Sequence, residues 1–581
     1  MPTSARRQRT QRQLAEGSPT VGARDPNDRR VGHPGADDVG KDSARDPGAP
    51  EVGTPPGAQP HPGAAAGPSP SEPATTSQIG AHVPSAVLRL LDHLWSAGHA
   101  AYVVGGSLRD ALLGLPAYDW DVTTDARPEQ LLSLFPGSHY ENRFGTVLVP
   151  LGSGDVAEVT TFRRDHRYGD HRRPDAVTFS DNLEDDLARR DFTVNALAWG
   201  RPGATHRPAA ARHTNVAARP GANGAPGIAQ GPVPESAEAL ARPAGSAREP
   251  VLVDLFDGVR DLRDRVLRAV GDPHLRFDED ALRLVRAARL AAQLGFRIDP
   301  DTERAMREHA AQVRYVSQER LGQELRKLLR GREPSRGLRI MAETGILDAA
   351  IPELAEQRGL PQAKAPGMDC WEHTLQTVDA ARSLRPDDEL LALAALFHDV
   401  AKPRTMNGGH FIGHEQVGAE MASRILARLA IPGQETARVV HLIRHHMFNY
   451  ESAWSDAAVR RLVQRVGRDA IDDLLVLREA DNLGSGQRGD EGHLGELRQR
   501  IAEQQARGFP MALSELAVDG DDLQRELGIG PGPVIGALLN RLLEAAIGDP
   551  SRNTYRQEIQ DARAWLPEML ARTTQRAGRR P

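Results

Sequence analysis

Apolar and polar positions divide the chain into stretches of different character. Residues 1 to 78 hold almost no large apolar side chains and are rich in Pro, Gly, Ala, Ser and mixed charge. Such a segment buries too little surface to offset the entropy of ordering it, so a disordered, low-complexity tail is expected. PSAVLRLLDHLWSAG then carries apolar residues at helical spacing, and HAAYVVGG, YDWDVTTD, TVLVPL and VAEVTTF follow as short runs of strand character. A second stretch of the tail's kind, 201 to 248, interrupts this block and is expected to loop out of it as an insertion. From about residue 259 onward, apolar residues recur at helical spacing with Gly and Pro punctuation, and strand signals nearly vanish. The pattern predicts a multidomain α+β protein with a small mixed sheet first and helices thereafter.

A chain of 581 residues is too long for one ordinary core. Its expected organisation is the tail (1–78), a sheet-containing head (79–258), a helical neck (259–335), a helical connector (336–366), a further helical domain (367–485) and a helical C-terminal region (486–581). With 26% charged and 4% aromatic residues it fits a soluble helical protein better than a sheet-rich secreted one. No apolar run approaches the roughly 18 residues of a membrane span. The basic start, MPTSARRQRT, is not followed by the apolar stretch of a secretory signal. One cysteine, Cys370, permits no internal disulfide and fits a reducing cytoplasm. A net charge of −6 argues against indiscriminate nucleic-acid binding, so any RNA site has to be a local basic surface. Basic residues do cluster in FRRDHRYGDHRRP, at 162 to 174, and along the arginine-rich stretch from 259 to 330. Phosphate contacts from such clusters position a nucleic acid without reading its sequence.

The first group of chemical residues is Gly105-Gly106-Ser107-Leu108-Arg109-Asp110, followed by Asp119-Trp120-Asp121. Paired glycines between strand and helix let backbone N–H groups approach a triphosphate, with the helix start and Arg109 offsetting its charge. Two aspartates at i and i+2 of a strand project from one face, where hard oxygen ligands suit Mg²⁺. Glu158, read as pointing inward from a later strand, is a candidate third carboxylate. A Gly-Gly turn or an Asp-x-Asp alone is more often a plain turn or a solvated loop. Their closeness here is what favours chemistry.

With EVTTF and ARRDFTVNALA, these motifs resemble the head domain of the polymerase beta-like nucleotidyltransferases, and within them the bacterial class II group of CCA-adding enzymes and poly(A) polymerases. The resemblance implies that Asp119 and Asp121 hold catalytic Mg²⁺, that Arg190 contacts the triphosphate and Asp191 the ribose, and that Asn195 completes that segment. Without the resemblance, RRDFTVNALA reads as a helix start with solvated charges.

A second group, RFDEDALRLVRAARLAAQLGF at 276 to 296, places Asp280 and Arg283 three apart, which on one helical face sets an acceptor beside a donor fork. Cytosine and adenine both offer an amino donor next to a ring-nitrogen acceptor, so such a pair can select CTP and ATP without a template. A surface ion pair is the ordinary alternative. The segment, with Arg286, resembles the family's nucleotide-selecting motif, although Ala281 stands where that motif commonly has Pro. Arg320 and Glu324 match the family's helix-stabilising pair.

A third group is metal-like: His373, the dipeptide His398-Asp399, His414, His445-His446 and Asp481. Imidazoles and carboxylates brought together from successive helices can hold one or two divalent ions and activate water against a phosphoester. The ordered set resembles the HD phosphohydrolase superfamily, with Ala401 where Gly often precedes Lys-Pro. Near the end, LGIGPGPVIGALLNRLLE (527 to 544) pairs a Gly-Pro turn with an amphipathic helix whose N–H groups are candidates for an RNA phosphate, a plain helix hairpin being as reasonable.

The expected activity is template-independent addition of CCA to tRNA from CTP and ATP. The expected partners are tRNA, CTP and ATP, with no membrane and no stable protein partner. The expected cofactors are Mg²⁺ in the head and a divalent metal of unspecified identity in the HD region, which would add phosphohydrolase activity. Poly(A) addition is the alternative within the same chemistry. It is disfavoured because the family's poly(A) enzymes usually lack an HD domain and end in a long basic extension. Two other readings are an HD phosphohydrolase with a nucleotide-sensing head and an RNA-binding module without activity.

Overall fold

The computed structural model describes residues 76–142, 145–152, 155–166, 176–203, 249–362 and 367–577. Nearly all of the expected disordered tail and of the expected insertion therefore lie outside the described residues. A helix at Thr76–His82 begins inside the stretch read as tail. No helix among the described residues is long and apolar enough to cross a membrane.

Among the described residues nine strands build the head: β1 Ala101–Val104, β2 Asp121–Thr124, β3 His139–Asn142, β4 Thr146–Gly152, β5 Asp155–Thr161, β6 Arg163–His166, β7 Ala176–Phe179, β8 Leu197–Arg201 and β9 Val251–Asp254. Seven of them form one sheet in the order β3-β4-β5-β2-β1-β8-β9, and β6 pairs with β7 separately. Only β2 and β5 run parallel in the large sheet, with Val122 opposite Val159. Strand β1, which lies between β2 and β8, is buried at all four positions. Ala101 and Val103 face the main core, while Tyr102 and Val104 join a smaller core with Phe162, Leu183, Leu187 and Ala198. Covering both faces explains why β1 reads as a continuous apolar run rather than an alternation.

Strand β8 is a correction to the helical reading of RRDFTVNALA. Thr193–Asn195 makes one 3-10 turn and the chain then enters the sheet beside β1. Its buried Leu-Ala-Trp-Gly run fits a strand covered on both sides.

Beyond the head the elements are helices, apart from two-residue strands at Val266–Leu267 and Arg297–Ile298. Their ends follow local chemistry. Asp299 accepts from Thr302 N at 3.2 Å, with Pro300 next in the first turn, and Asp369 accepts from Glu372 N at 2.7 Å. Both are N-caps that satisfy otherwise orphaned N–H groups. The main core runs from Ile79 through the neck into the HD region, while Val518, Leu523, Leu538, Leu542 and Ile559 belong to a separate C-terminal core. The Gly-Pro turn at 530–532 does lead into a helix, Pro533–Gly548.

Candidate active site and candidate metal centre

In the head, β1 ends at Val104 opposite Asp121, and β5 runs parallel to β2 so that Glu158 comes beside Asp121. Asp121, Glu158, Arg163, Arg189 and Arg190 line one cavity of about 210 Å³. Two expectations change here. Strand β2 starts at Asp121, so Asp119 sits in the exposed loop before it rather than on the strand. Glu158 points away from the core into this open cleft, because the buried positions of β5 are its neighbours Ala157 and Val159.

The three carboxylates feel one another. Burial, and then the charge of Asp119, push the Asp121 carboxyl above its ordinary value against the pull of Arg190. Burial, followed by the charges of Asp121, Glu141 and Asp119, does the same to Glu158. Like charges gathered in a cleft need a cation for all to ionise together, so this set of hard oxygen donors fits a divalent ion.

Gly105 has a φ of 82° and a ψ of −148°, a conformation open to glycine alone. A side chain there would also approach Asp121 Oδ2 at 3.3 Å and Arg190 Nη1 at 3.4 Å. Gly106 lies against the Arg109 guanidinium. Arg109 is turned inward: Nε and Nη2 donate to Asp110 at 2.8 and 2.9 Å, and Nη1 donates to Asn195 Oδ1 at 2.7 Å. It therefore braces the segment containing Asn195. Asn195 Nδ2 donates in turn to Asp191 Oδ1 at 3.1 Å.

Asp191 joins head to neck. Its second oxygen accepts from Arg286 Nε at 2.9 Å and Nη2 at 2.7 Å. Burial pushes its carboxyl up, but the Arg286 charge, the Asn195 hydrogen bond and Arg283 hold it well below the usual range. Asp186, which was not among the sequence candidates, is a fully buried hub that accepts from Arg189, Arg190 and Thr123. The signal for it was an acidic residue three and four positions before paired arginines on a helix.

Asp280 and Arg283 do not share a helical face as expected. One helix, Pro273–Glu279, ends just before Asp280, and the next is Leu282–Leu294. Asp280 is extended between them, accepting from Leu282 N at 3.1 Å and from Arg320 Nη2 at 2.6 Å. Arg283 donates to Glu279 at 2.5 Å and to the carbonyl of Arg189 at 2.8 Å. Glu324 accepts from Arg289 at 2.6 Å, whereas Arg320 is directed to Asp280. The nucleotide-selecting candidates are thus held by separate partners across a helix break.

The HD residues come together in two triads, His373, His398 and Asp481 in one and Asp399, His414 and His446 in the other, all buried. Each histidine aims Nδ1 at a backbone carbonyl: Gly484 at 3.0 Å, Ala395 at 2.8 Å, Phe411 at 2.7 Å and Ile443 at 2.7 Å respectively. A carbonyl only accepts, so Nδ1 carries the proton and Nε2 the free lone pair in the neutral ring. Those Nε2 atoms converge, 3.1 Å apart for His373 and His398 and 3.3 Å for His414 and His446. Two bare acceptors at such distances repel unless a cation lies between them. The donor set therefore fits metal binding, with backbone carbonyls fixing the tautomers.

Asp399 has Oδ2 at 3.1 Å from His398 and Oδ1 at 3.3 Å from His414, so its two oxygens reach both triads. Lys402, quoted in the motif but not among the candidates, lies 2.5 Å from Asp399. Burial pushes the His446 imidazole down to about 3. His445 is a correction: its ring packs against His441 at 4.7 Å and it belongs to neither triad. Gly484, whose carbonyl accepts from His373, is pressed so closely on Thr377 that a side chain there would collide with it.

Three family models match the chain: the poly A polymerase head domain over residues 101–205, the probable RNA and SrmB binding site of polymerase A over 295–358, and the HD domain over 370–485. Among curated proteins, an A-adding tRNA nucleotidyltransferase of Deinococcus radiodurans is 33% identical over 77% of this chain and 92% of its own length. A CCA-adding enzyme of Lacticaseibacillus paracasei is 38% identical over 48% of this chain and 58% of its own length. Among solved structures, the Bacillus stearothermophilus CCA-adding enzyme in complex with CTP aligns with a TM-score of 0.57 at 26% identity, over 85% of this chain and 100% of the other.

Proposed function

We propose the following function for this chain, which belongs to the tRNA nucleotidyltransferase family: template-independent addition of CCA to the 3′ end of tRNA from CTP and ATP. The observation that carries the reading is the joining of the Asp121, Glu158 and Arg190 cleft to the neck through the Asp191–Arg286 pair. Asp119 and Asp121, with Glu158 beside them, hold Mg²⁺, which when bound lowers the pKa of the attacking hydroxyl and neutralises phosphate charge. Arg190, poised between Gly105, Asp186 and Asp121, takes the triphosphate. Asp191, held ionised by Arg286, accepts from the ribose. Asp280 and Arg283 read the amino group and ring nitrogen that CTP and ATP share, released to do so from Arg320 and Glu279. Catalysis is then positioning plus charge neutralisation.

The head supplies this chemistry, the neck and connector hold RNA, and the HD region adds phosphohydrolase activity at a divalent centre held by His373, His398, Asp399, His414, His446 and Asp481. The work takes place in the cytoplasm, as the single cysteine and a tRNA substrate fit.

A second reading, addition of the terminal A alone, is favoured by the name of the Deinococcus relative that aligns over 92% of its length. Purified chain, Mg²⁺, tRNA transcripts lacking A, CA or CCA and each labelled nucleotide in turn separate the two. Addition of C, C and A followed by arrest supports the first reading. Incorporation of A without any use of CTP replaces it with the second. Long adenylate tails make the chain a poly(A) polymerase.

A further inference from the structure

We propose that Arg478 is the positioning residue of the HD centre: it fixes the Asp481 carboxylate toward the first triad and presents positive charge to the incoming phosphate ester. The inference rests on the phosphohydrolase reading of that centre and adds a residue to it. Arg478 and Asp481 share the helix Ile471–Gly484, three positions apart, so the two side chains meet on one face. Arg478 Nη1 donates to Asp481 Oδ2 at 3.0 Å, while the other oxygen, Oδ1, lies 3.1 Å from His373 Nε2. One carboxylate oxygen is thus directed into the triad and the other is occupied by a guanidinium, which limits rotation of the group about its own axis.

Arg478 also belongs to the space in front of the centre. With Asp399, Lys402, His414, His446 and Asp481 it lines a cavity of about 660 Å³. The metal-ligating side of this cavity is buried, but Arg478 keeps 26% of its side chain exposed. Ile412, 87% exposed, and Met447 line the same cavity. Arg478 therefore touches the ligand shell on one side and the substrate space on the other. A guanidinium suits both tasks, being always charged and offering planar paired donors to oxygens of carboxylate or phosphate.

The test uses the full chain as Arg478→Gln and Arg478→Lys, with Mn²⁺ as the metal probe and a 2′,3′-cyclic nucleotide as substrate. Cluster metal is the Mn²⁺ that wild type holds against a chelator and His373→Ala does not. Arg478→Gln is expected to hold it about 10- to 100-fold more weakly, the usual effect of losing a group that orients a ligand. It should also raise KM about tenfold while nucleotide addition by the head stays unchanged. Arg478→Lys should recover KM but not Mn²⁺ retention, since a point charge replaces the attraction and not the fork. Retention in Arg478→Gln equal to wild type overturns the positioning role, and an unchanged KM overturns the phosphate contact. If wild type holds no cluster metal, the phosphohydrolase reading falls and this inference falls with it.

Discussion

Asp121 and Glu158 line an open cleft on interior strands of the head sheet, with Asp119 on the loop before them, whereas His373, His398, Asp399, His414, His446 and Asp481 meet among helices. The Asp121 and Glu158 carboxyls are pushed up by burial and then by neighbouring negative charge, and Asp119 is exposed on a loop. In the HD centre the reverse holds. Against burial, His398 and Lys402 keep the Asp399 carboxyl well below its usual range, and all four histidine tautomers are fixed by carbonyls. The difference teaches that a site which must admit a triphosphate and an RNA end leaves its charges unneutralised until those arrive. A buried cluster whose ligands are already oriented by hydrogen bonds is assembled in advance by the fold.

The largest effect is expected of Asp121→Asn, which should lower nucleotide incorporation by about 10³-fold or more while leaving hydrolysis of a cyclic nucleotide intact. Loss of both activities together would mean that the two sites are not independent. In wild type, the raised Asp121 and Glu158 carboxyls should make incorporation fall with decreasing pH before the ordinary carboxylate range is reached, a limb visible in a pH profile of kcat/KM.

Next in size is Arg286→Ala. It leaves Asp191 buried without its partner, so nucleotide addition should fall about 10- to 100-fold and stability by about 3 kcal/mol, measured by denaturant unfolding. The sign with pH follows from the depressed Asp191 carboxyl. Its contribution is present above the ordinary aspartate value and lost as pH falls through the depressed one, so the variant should be the less sensitive of the two to acid.

Metal removal is expected to have a smaller effect. A chelator should lower the melting temperature of the HD region by about 5 °C, because four imidazole lone pairs lose their cation, and should do the same in Asp121→Asn. An unchanged melting temperature would show that the histidine centre does not depend on metal for its packing.

The smallest effect is expected far from both sites. Burial pushes the Glu558 carboxyl up to about 7, although it accepts from Val518 N. An acid whose folded pKa lies above its unfolded value stabilises the fold fully below the unfolded value, and that contribution is lost as pH rises through the folded one. Glu558→Gln should therefore raise the melting temperature at pH 8 by about 2 °C and leave it little changed at pH 5.

Local chemistry made much of this legible. The spacing of Asp119 and Asp121 and the Gly105 turn point to the head cleft, and the ordered His and Asp residues point to the HD centre. The errors fall where a local pattern is satisfied in more than one way. Asp280 was read as helical, but its carboxylate bonds the Leu282 N–H and stops one helix before the next begins. Such side-chain to backbone bonds compete with helix, and periodicity does not reveal them. His445 and His446 are adjacent on one helical turn and so diverge by about 100° around the axis. Nothing local says which one faces inward.

By itself the sequence determined the α+β division, the strands that flank Asp121, and the residue types able to hold metal and triphosphate. These follow from periodicity, turn chemistry and ligand hardness, which act over a few residues. Only the tertiary structure decided that Glu158 joins Asp121 across a parallel strand pair, that Thr123 of β2 donates to the buried Asp186, and that Asp191 is clamped by Arg286 from the neck. It also decided that His446 rather than His445 joins the buried cluster of histidines and aspartates. The physical reason is common to all four. Each depends on desolvated charges and hydrogen-bond partners brought together from distant segments, and their strength is set by burial that exists only once the chain has packed.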